Sequence, residues 1–165
     1  MKYWRDEEFS HGLRNEDECT LLVVSWLQEW QTDLLENVLT TAVEGGINYW
    51  SDVRVVKSGV EYLVSVDGVD VDDFVCHDDT KIDGFDDASG LLTVLLDHDL
   101  VWDGLVRLSE AADLDEGCEA DCLSVAINKV FDSFGLDQAD FLSWLDASGA
   151  DVVVQYALFG EVIFG

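Results

Sequence analysis

The sequence predicts an α+β fold, a small antiparallel sheet packed with several helices, and three patterns carry that expectation. Apolar residues recur at helical spacing from Cys19 to Ala42, alternate with polar ones from Val60 to Val71 around Asp67-Gly68, and return to helical spacing after Leu100. A chain whose apolar period changes from 3.6 to 2 and back must bury one face of each element against another, and a sheet covered by helices does this.

The first helix rests on Trp26, Trp30 and Leu34 at i, i+4 and i+8, with Leu35, Val38, Leu39 and Ala42 widening the stripe. Gly45 and Gly46 are expected to end it. Core packing is the plainer reading of the Trp pair, against a ridge for a hydrophobic partner. Tyr49, Trp50 and Val53 to Val56 suggest a strand. Val60, Tyr62, Val64 and Val66 alternate with Glu61, Ser65 and Asp67, and Val69 and Val71 alternate with Asp70 and Asp72. The Asp67-Gly68 step between them predicts a hairpin with an acidic outer face. The stretch from Asp72 to Gly90 carries Asp72, Asp73, Asp78, Asp79, Asp83, Asp86 and Asp87 and is expected as a long loop. Leu91 to Leu96 is a run too short for periodicity to separate strand from helix. Leu100–Ala111, Cys118–Phe134, Gln138–Leu145 and Asp151–Phe159 read as helices, the last closed by Gly160.

Residues 1–165 are expected to form a single acidic domain, large enough to bury a core. The chain carries 36 Asp and Glu against 8 Lys and Arg, a net charge of -28, yet is 48% hydrophobic. Its 6 Trp, 8 Phe and 4 Tyr set it apart from acidic disordered tails, which are poor in aromatics. Like-charge repulsion opposes compaction, so the imbalance calls for a reason. One is a surface that imitates nucleic acid. The other is a cell interior at molar salt, where charges are screened within roughly 3 Å. Asp outnumbers Glu 24 to 12 and only 4 Lys remain, which fits salt adaptation; but Arg is also scarce, at 4, and losing both cations favours deliberate negative potential.

Two segments, Thr41-Ala42-Val43-Glu44-Gly45-Gly46-Ile47-Asn48-Tyr49-Trp50 and Ala150-Asp151-Val152-Val153-Val154-Gln155-Tyr156-Ala157-Leu158-Phe159-Gly160-Glu161-Val162, resemble short uncharacterised proteins encoded by phages and plasmids. The resemblance covers about a quarter of the chain. It implies a gene of a mobile element, where inhibitors of host defence are common, and it implies no reaction.

Catalytic and metal chemistry find little footing. An EF-hand register with Gly84 at the turn places Lys81 on the third position and Gly90 on the twelfth, where a bidentate Glu is needed. Cys118 and Cys122 share a helix spacing and Cys76-His77 could add two ligands, but the pattern is not that of a zinc finger, and small buried thiols are the plainer reading. Four scattered cysteines, with Cys19 the fourth, point to reduced thiols. Cys76-His77 and Asp97-His98-Asp99 are sequence neighbours whose side chains diverge on a strand. No phosphate loop, G-x-S-x-G or HExxH is present. No cofactor, metal or catalytic residue is therefore expected; a small enzyme would need Arg54 and Lys57 gathered with His77 in one cleft. Eight cations cannot make a basic stripe, which excludes direct nucleic-acid or anionic-membrane binding. The longest apolar run, Leu21 to Leu27, is too short to span a bilayer, and Lys2 to Glu8 lacks a signal-peptide core, so a cytoplasmic protein is expected.

The expected partner is a basic nucleic-acid-binding protein or complex, such as a restriction enzyme or CRISPR effector, whose DNA or RNA channel the acids occupy. Residues two apart on a strand or four apart on a helix lie about 5 to 7 Å apart, commensurate with duplex phosphates at roughly 3.4 Å of axis per strand. The expected contact set is Asp67, Asp70, Asp72, Asp73, Asp78, Asp79, Asp83, Asp86 and Asp87, with Asp97, Asp99 and Asp103. A salt-adapted accessory or structural protein is the alternative.

Overall fold

A computed structural model describes residues 18–70, 74–75, 81–86, 88–111, 118–133 and 135–165. Helix α1 (Glu18–Thr41) runs into one π-helical turn (Ala42–Gly46), then come β1 (Ser51–Lys57), β2 (Glu61–Val66), β3 (Ile82–Asp86) and β4 (Leu91–Asp97). Four helices follow: α2 (His98–Glu110), α3 (Glu119–Asp132), α4 (Gln138–Trp144) and α5 (Ala147–Phe159). The strands form one antiparallel sheet in the order β1-β2-β4-β3. The fold is α+β.

In α1 the stripe does what its spacing predicts. Trp30, Leu34, Leu35, Val38 and Leu39 are buried, while Glu29, Asp33 and Glu36 at i, i+4 and i+7 face outward. Gly46 does more than stop the helix. A Cβ there would sit 2.6 Å from the Ala147 carbonyl oxygen, so its bare backbone lets the π turn lie against the start of α5.

The β1–β2 hairpin turns at Ser58-Gly59-Val60, with Gly59 at φ 75°, and not at Asp67-Gly68. Gly68 does turn the chain, at φ 73°, but Val69 and Asp70 form no strand after it; Val69 N–H instead donates to Gly90 O at 3.2 Å. The reason is that both edges of β2 are already taken, one by β1 and the other by β4, whose Leu92, Val94 and Leu96 extend the buried face of Tyr62, Val64 and Val66. The short apolar run is thus strand β4. The expected Asp-rich loop also contains a strand, β3, paired with β4. Its sequence, Ile-Asp-Gly-Phe-Asp, has poor strand propensity and pairs because a neighbour is waiting.

Helix α5 is the centre of the molecule. Every residue from Gly149 to Phe159 is buried, as expected of a helix apolar on all sides. Helix α2 crosses it closely at Gly104, where a Cβ would meet Val153 O at 2.4 Å. Arg107 then reaches the C-terminal end of α5, donating to Ala157 O at 2.8 Å, and holds Val75 O at 2.9 Å. Asp97, Cys118 and Asp146 cap the N-termini of α2, α3 and α5 through their side chains. Cys118 is therefore a cap rather than one of a helical pair with Cys122; both are free thiols. No helix among the described residues is long and apolar enough to cross a membrane.

Candidate functional site

Among the described residues most of the acidic side chains are exposed. Asp67 and Asp70 are exposed beyond β2, Asp83 and Asp86 on β3, and Asp99 and Asp103 one turn apart on α2. Asp72, Asp73, Asp78, Asp79 and Asp87 lie outside the described residues, as do Cys76 and His77. Asp86 is tied into its own turn: its carboxylate accepts from Ala88 N–H at 3.1 Å and Ser89 Oγ at 2.7 Å, which holds it below the usual carboxylate range.

Asp97 departs from the expected set. Its Oδ1 accepts from Leu100 N–H at 3.0 Å and its Oδ2 pairs with Lys81, leaving its side chain 16% exposed. Lys81 also lies 3.6 Å from Asp99 Oδ2. A strand-ending carboxylate that caps the next helix and neutralises a lysine serves the fold, and little of it remains to meet a partner. Two of the cations are likewise committed to the fold, Lys81 to these two acids and Arg107 to backbone carbonyls, while Arg54 and Lys57 are exposed. Lys129 pairs with Asp140 at 3.2 Å, both about half exposed, and such a surface pair contributes little.

One carboxylate goes the other way. Asp151, 6% exposed on α5, accepts from Trp50 Nε1 at 2.7 Å on Oδ1, and from Tyr49 Oη at 2.8 Å and Gln155 Nε2 at 2.9 Å on Oδ2. Gln155 donates its other N–H to Phe164 O at 2.9 Å and accepts from Ile163 and Phe164 N–H at 2.8 and 2.7 Å. The chain's last residues are thereby latched to α5, and Trp50 stacks on Phe164 with centroids 4.8 Å apart. Burial pushes the Asp151 carboxyl above its ordinary range despite three donors that favour the ionised form. Burial of its hydroxyl and the neighbouring Asp151 carboxylate push Tyr49 up to about 12. Residues 41–50 and 150–162 thus meet here, Tyr49 and Trp50 from one segment, Asp151 and Gln155 from the other.

Beside this cluster opens a cleft of ≈ 510 Å³, where the Trp50 loop meets the outer face of the sheet. Tyr49, Asp52, Arg54, Ser65 and Asp67 are among the residues lining it. Tyr49 is 60% exposed although its hydroxyl is held inside, so its ring is presented to solvent in a fixed orientation. The side chains of Asp52, Arg54 and Asp67 make no ion pair or hydrogen bond among the described residues. Sequence reasoning named Asp67 but missed Asp52, Tyr49 and Asp151; only the i, i+4 spacing of Asp151 and Gln155 in an apolar helix could have signalled the last.

Among the described residues no three His, Cys, Asp or Glu side chains come together to hold a metal ion. No family model matches the chain, and neither curated proteins nor solved structures match it.

Proposed function

We propose that this protein acts by binding rather than catalysis, presenting carboxylates to a basic nucleic-acid-binding protein and competing with DNA or RNA for its channel. The observation that carries the reading is the one-sided use of charge. A chain of net charge -28 commits Lys81 and Arg107 to its own carboxylates and carbonyls, and among the described residues its exposed acids, Asp67, Asp70 and Asp83 among them, far outnumber its exposed cations Arg54, Lys57 and Lys129. Such a field steers a basic partner at long range and gives fast, salt-sensitive association. A host defence complex, a restriction enzyme or CRISPR effector, is the class of target that a mobile-element origin suggests.

The contact is collective. Single Asp→Asn changes are expected to matter little, because a coat of like charges averages over its members. Asp70→Asn, Asp83→Asn, Asp99→Asn and Asp103→Asn together, checked for native circular dichroism, should abolish competition with duplex DNA for a basic DNA-binding protein. Undiminished competition by the folded quadruple variant would overturn the reading. Salt adaptation is the second reading, favoured by 24 Asp against 12 Glu and only 4 Lys. It expects the chain to unfold at low salt and to recover near molar KCl.

A further inference from the structure

We infer that β1 is a dimerisation edge, along which a second copy of this chain lays its own β1 antiparallel and joins the two sheets into one. The pairing is independent of what the acidic surface binds. Among the described residues β1 pairs with β2 alone, so along its other side alternate residues turn their backbone N–H and C=O groups to no strand. Regular pairing ends at Val55, because Val56 is an extra residue between the Val55·Tyr62 and Lys57·Glu61 pairs. At the other end Ser51 N–H already donates to Ile47 O at 3.1 Å. The open stretch therefore runs from Asp52 to Val55.

Its side chains complement a copy of themselves. Asp52 and Arg54 stand opposite Ser65 and Leu63 on the outer face of the sheet, and Val53 and Val55 stand opposite the buried Val64 and Tyr62 on the core face. Two identical antiparallel strands keep their core faces on one side only when the two-fold axis passes through a residue, since a slip of one turns every side chain over. With the axis at Val53, Asp52 faces the partner's Arg54 and Arg54 faces the partner's Asp52, with Cβ atoms about 4.5 to 5.5 Å apart. An axis at Asp52 or Arg54 would instead set two carboxylates or two guanidiniums against each other. Neither side chain has an ion pair or hydrogen bond among the described residues.

The core face of the strand is also left open. Val55 is 65% exposed although it lies opposite Tyr62, and a groove of ≈ 480 Å³ runs beside it, lined in part by Val43, Val53 and Tyr62. With the axis at Val53, the partner's Val53 continues the apolar row along this opening. Two chains of net charge -28 repel one another. That repulsion is weakest at β1, which carries Arg54 and Lys57 against Asp52, two of the three exposed cations among the described residues.

The test is sedimentation velocity of the full chain over a concentration series reaching the millimolar range, in KCl from about 0.1 M to about 1 M. A monomer–dimer equilibrium is expected, tightening with salt as screening shortens the repulsion between the copies. Asp52→Arg and Arg54→Asp, each made alone and checked for native circular dichroism, set like charges across both symmetric pairs and should weaken the dimer about tenfold or more. An equimolar mixture of the two variants should form a heterodimer, because each presents the charge that the other lacks. Asp52→Arg combined with Arg54→Asp should restore the wild-type equilibrium, and Lys129→Gln should leave it unchanged. A wild type that stays monomeric throughout would overturn the self-pairing and leave the edge to a strand of another protein. A dimer that both single variants leave intact, or a mixture that yields no heterodimer, would equally overturn it.

Discussion

Asp151 shows what burial does to one side chain in a chain otherwise covered in carboxylates. Three donors converge on it, from the Trp50 loop and from Gln155 one turn along α5. Asp151→Asn keeps the shape but turns an N–H₂ toward at least one of those donors, so a loss of about 1–3 kcal/mol in urea unfolding is expected, with the Phe164 amide losing its protection from exchange. The pH dependence has a definite sign. The folded carboxyl ionises above its unfolded value of 3.8, so its contribution is full below that value and is lost as pH rises through the raised folded one. The penalty of Asp151→Asn should therefore be larger near pH 4 than at pH 7. The spacing of Asp151 and Gln155 on one helix face was legible. Their partners were not, because Tyr49 and Trp50 reach Asp151 from a distant part of the chain.

At the scale of elements, close approach explains what propensity does not. Gly104 sits inside α2, where a glycine costs roughly 1 kcal/mol against alanine. Its place is justified by Val153 O at 2.4 Å and Ala157 Cβ at 2.9 Å from where its own Cβ would be. Gly104→Ala should force α2 from α5 and cost about 1–3 kcal/mol in thermal or urea unfolding. Gly84 is the control: in β3 nothing lies within 4 Å of an added Cβ, and its φ is not positive, so Gly84→Ala should stay within about 0.5 kcal/mol. In the sequence Gly104 falls inside an expected helix and Gly84 inside the expected Asp-rich loop. One marks a helix crossing and the other a bulged edge strand, and only the neighbouring backbone tells them apart.

Over the whole molecule the charge is the dominant fact. With Glu29, Asp33 and Glu36 along α1, Asp99 and Asp103 on α2 and Asp83 on β3, like charges surround the core on several sides. Screening shortens from about 10 Å at 0.1 M salt to about 3 Å at 1 M, which relieves repulsion in the compact state more than in the expanded one. The melting temperature should rise steadily in KCl across that range. A flat salt response would mean that the acids are spaced too widely to repel, and would weaken the case for a concentrated field.

By itself the sequence determined what depends on neighbours along the chain. The stripe from Trp30 to Ala42 forms the buried face of α1, the alternation from Tyr62 to Val66 forms β2, the apolar stretch of α5 forms a helix, and the charge follows from composition alone. Tertiary structure decided what depends on neighbours in space. It set β4 rather than Val69 and Asp70 beside β2, drew Ile82–Asp86 into the sheet, turned Asp97 from the coat into a cap, and buried Asp151 under Tyr49 and Trp50. The physical reason is common to all four. Periodicity records which face of an element is apolar, whereas strand pairing, capping and desolvation are settled by whichever distant group fills the remaining hydrogen-bond or packing site.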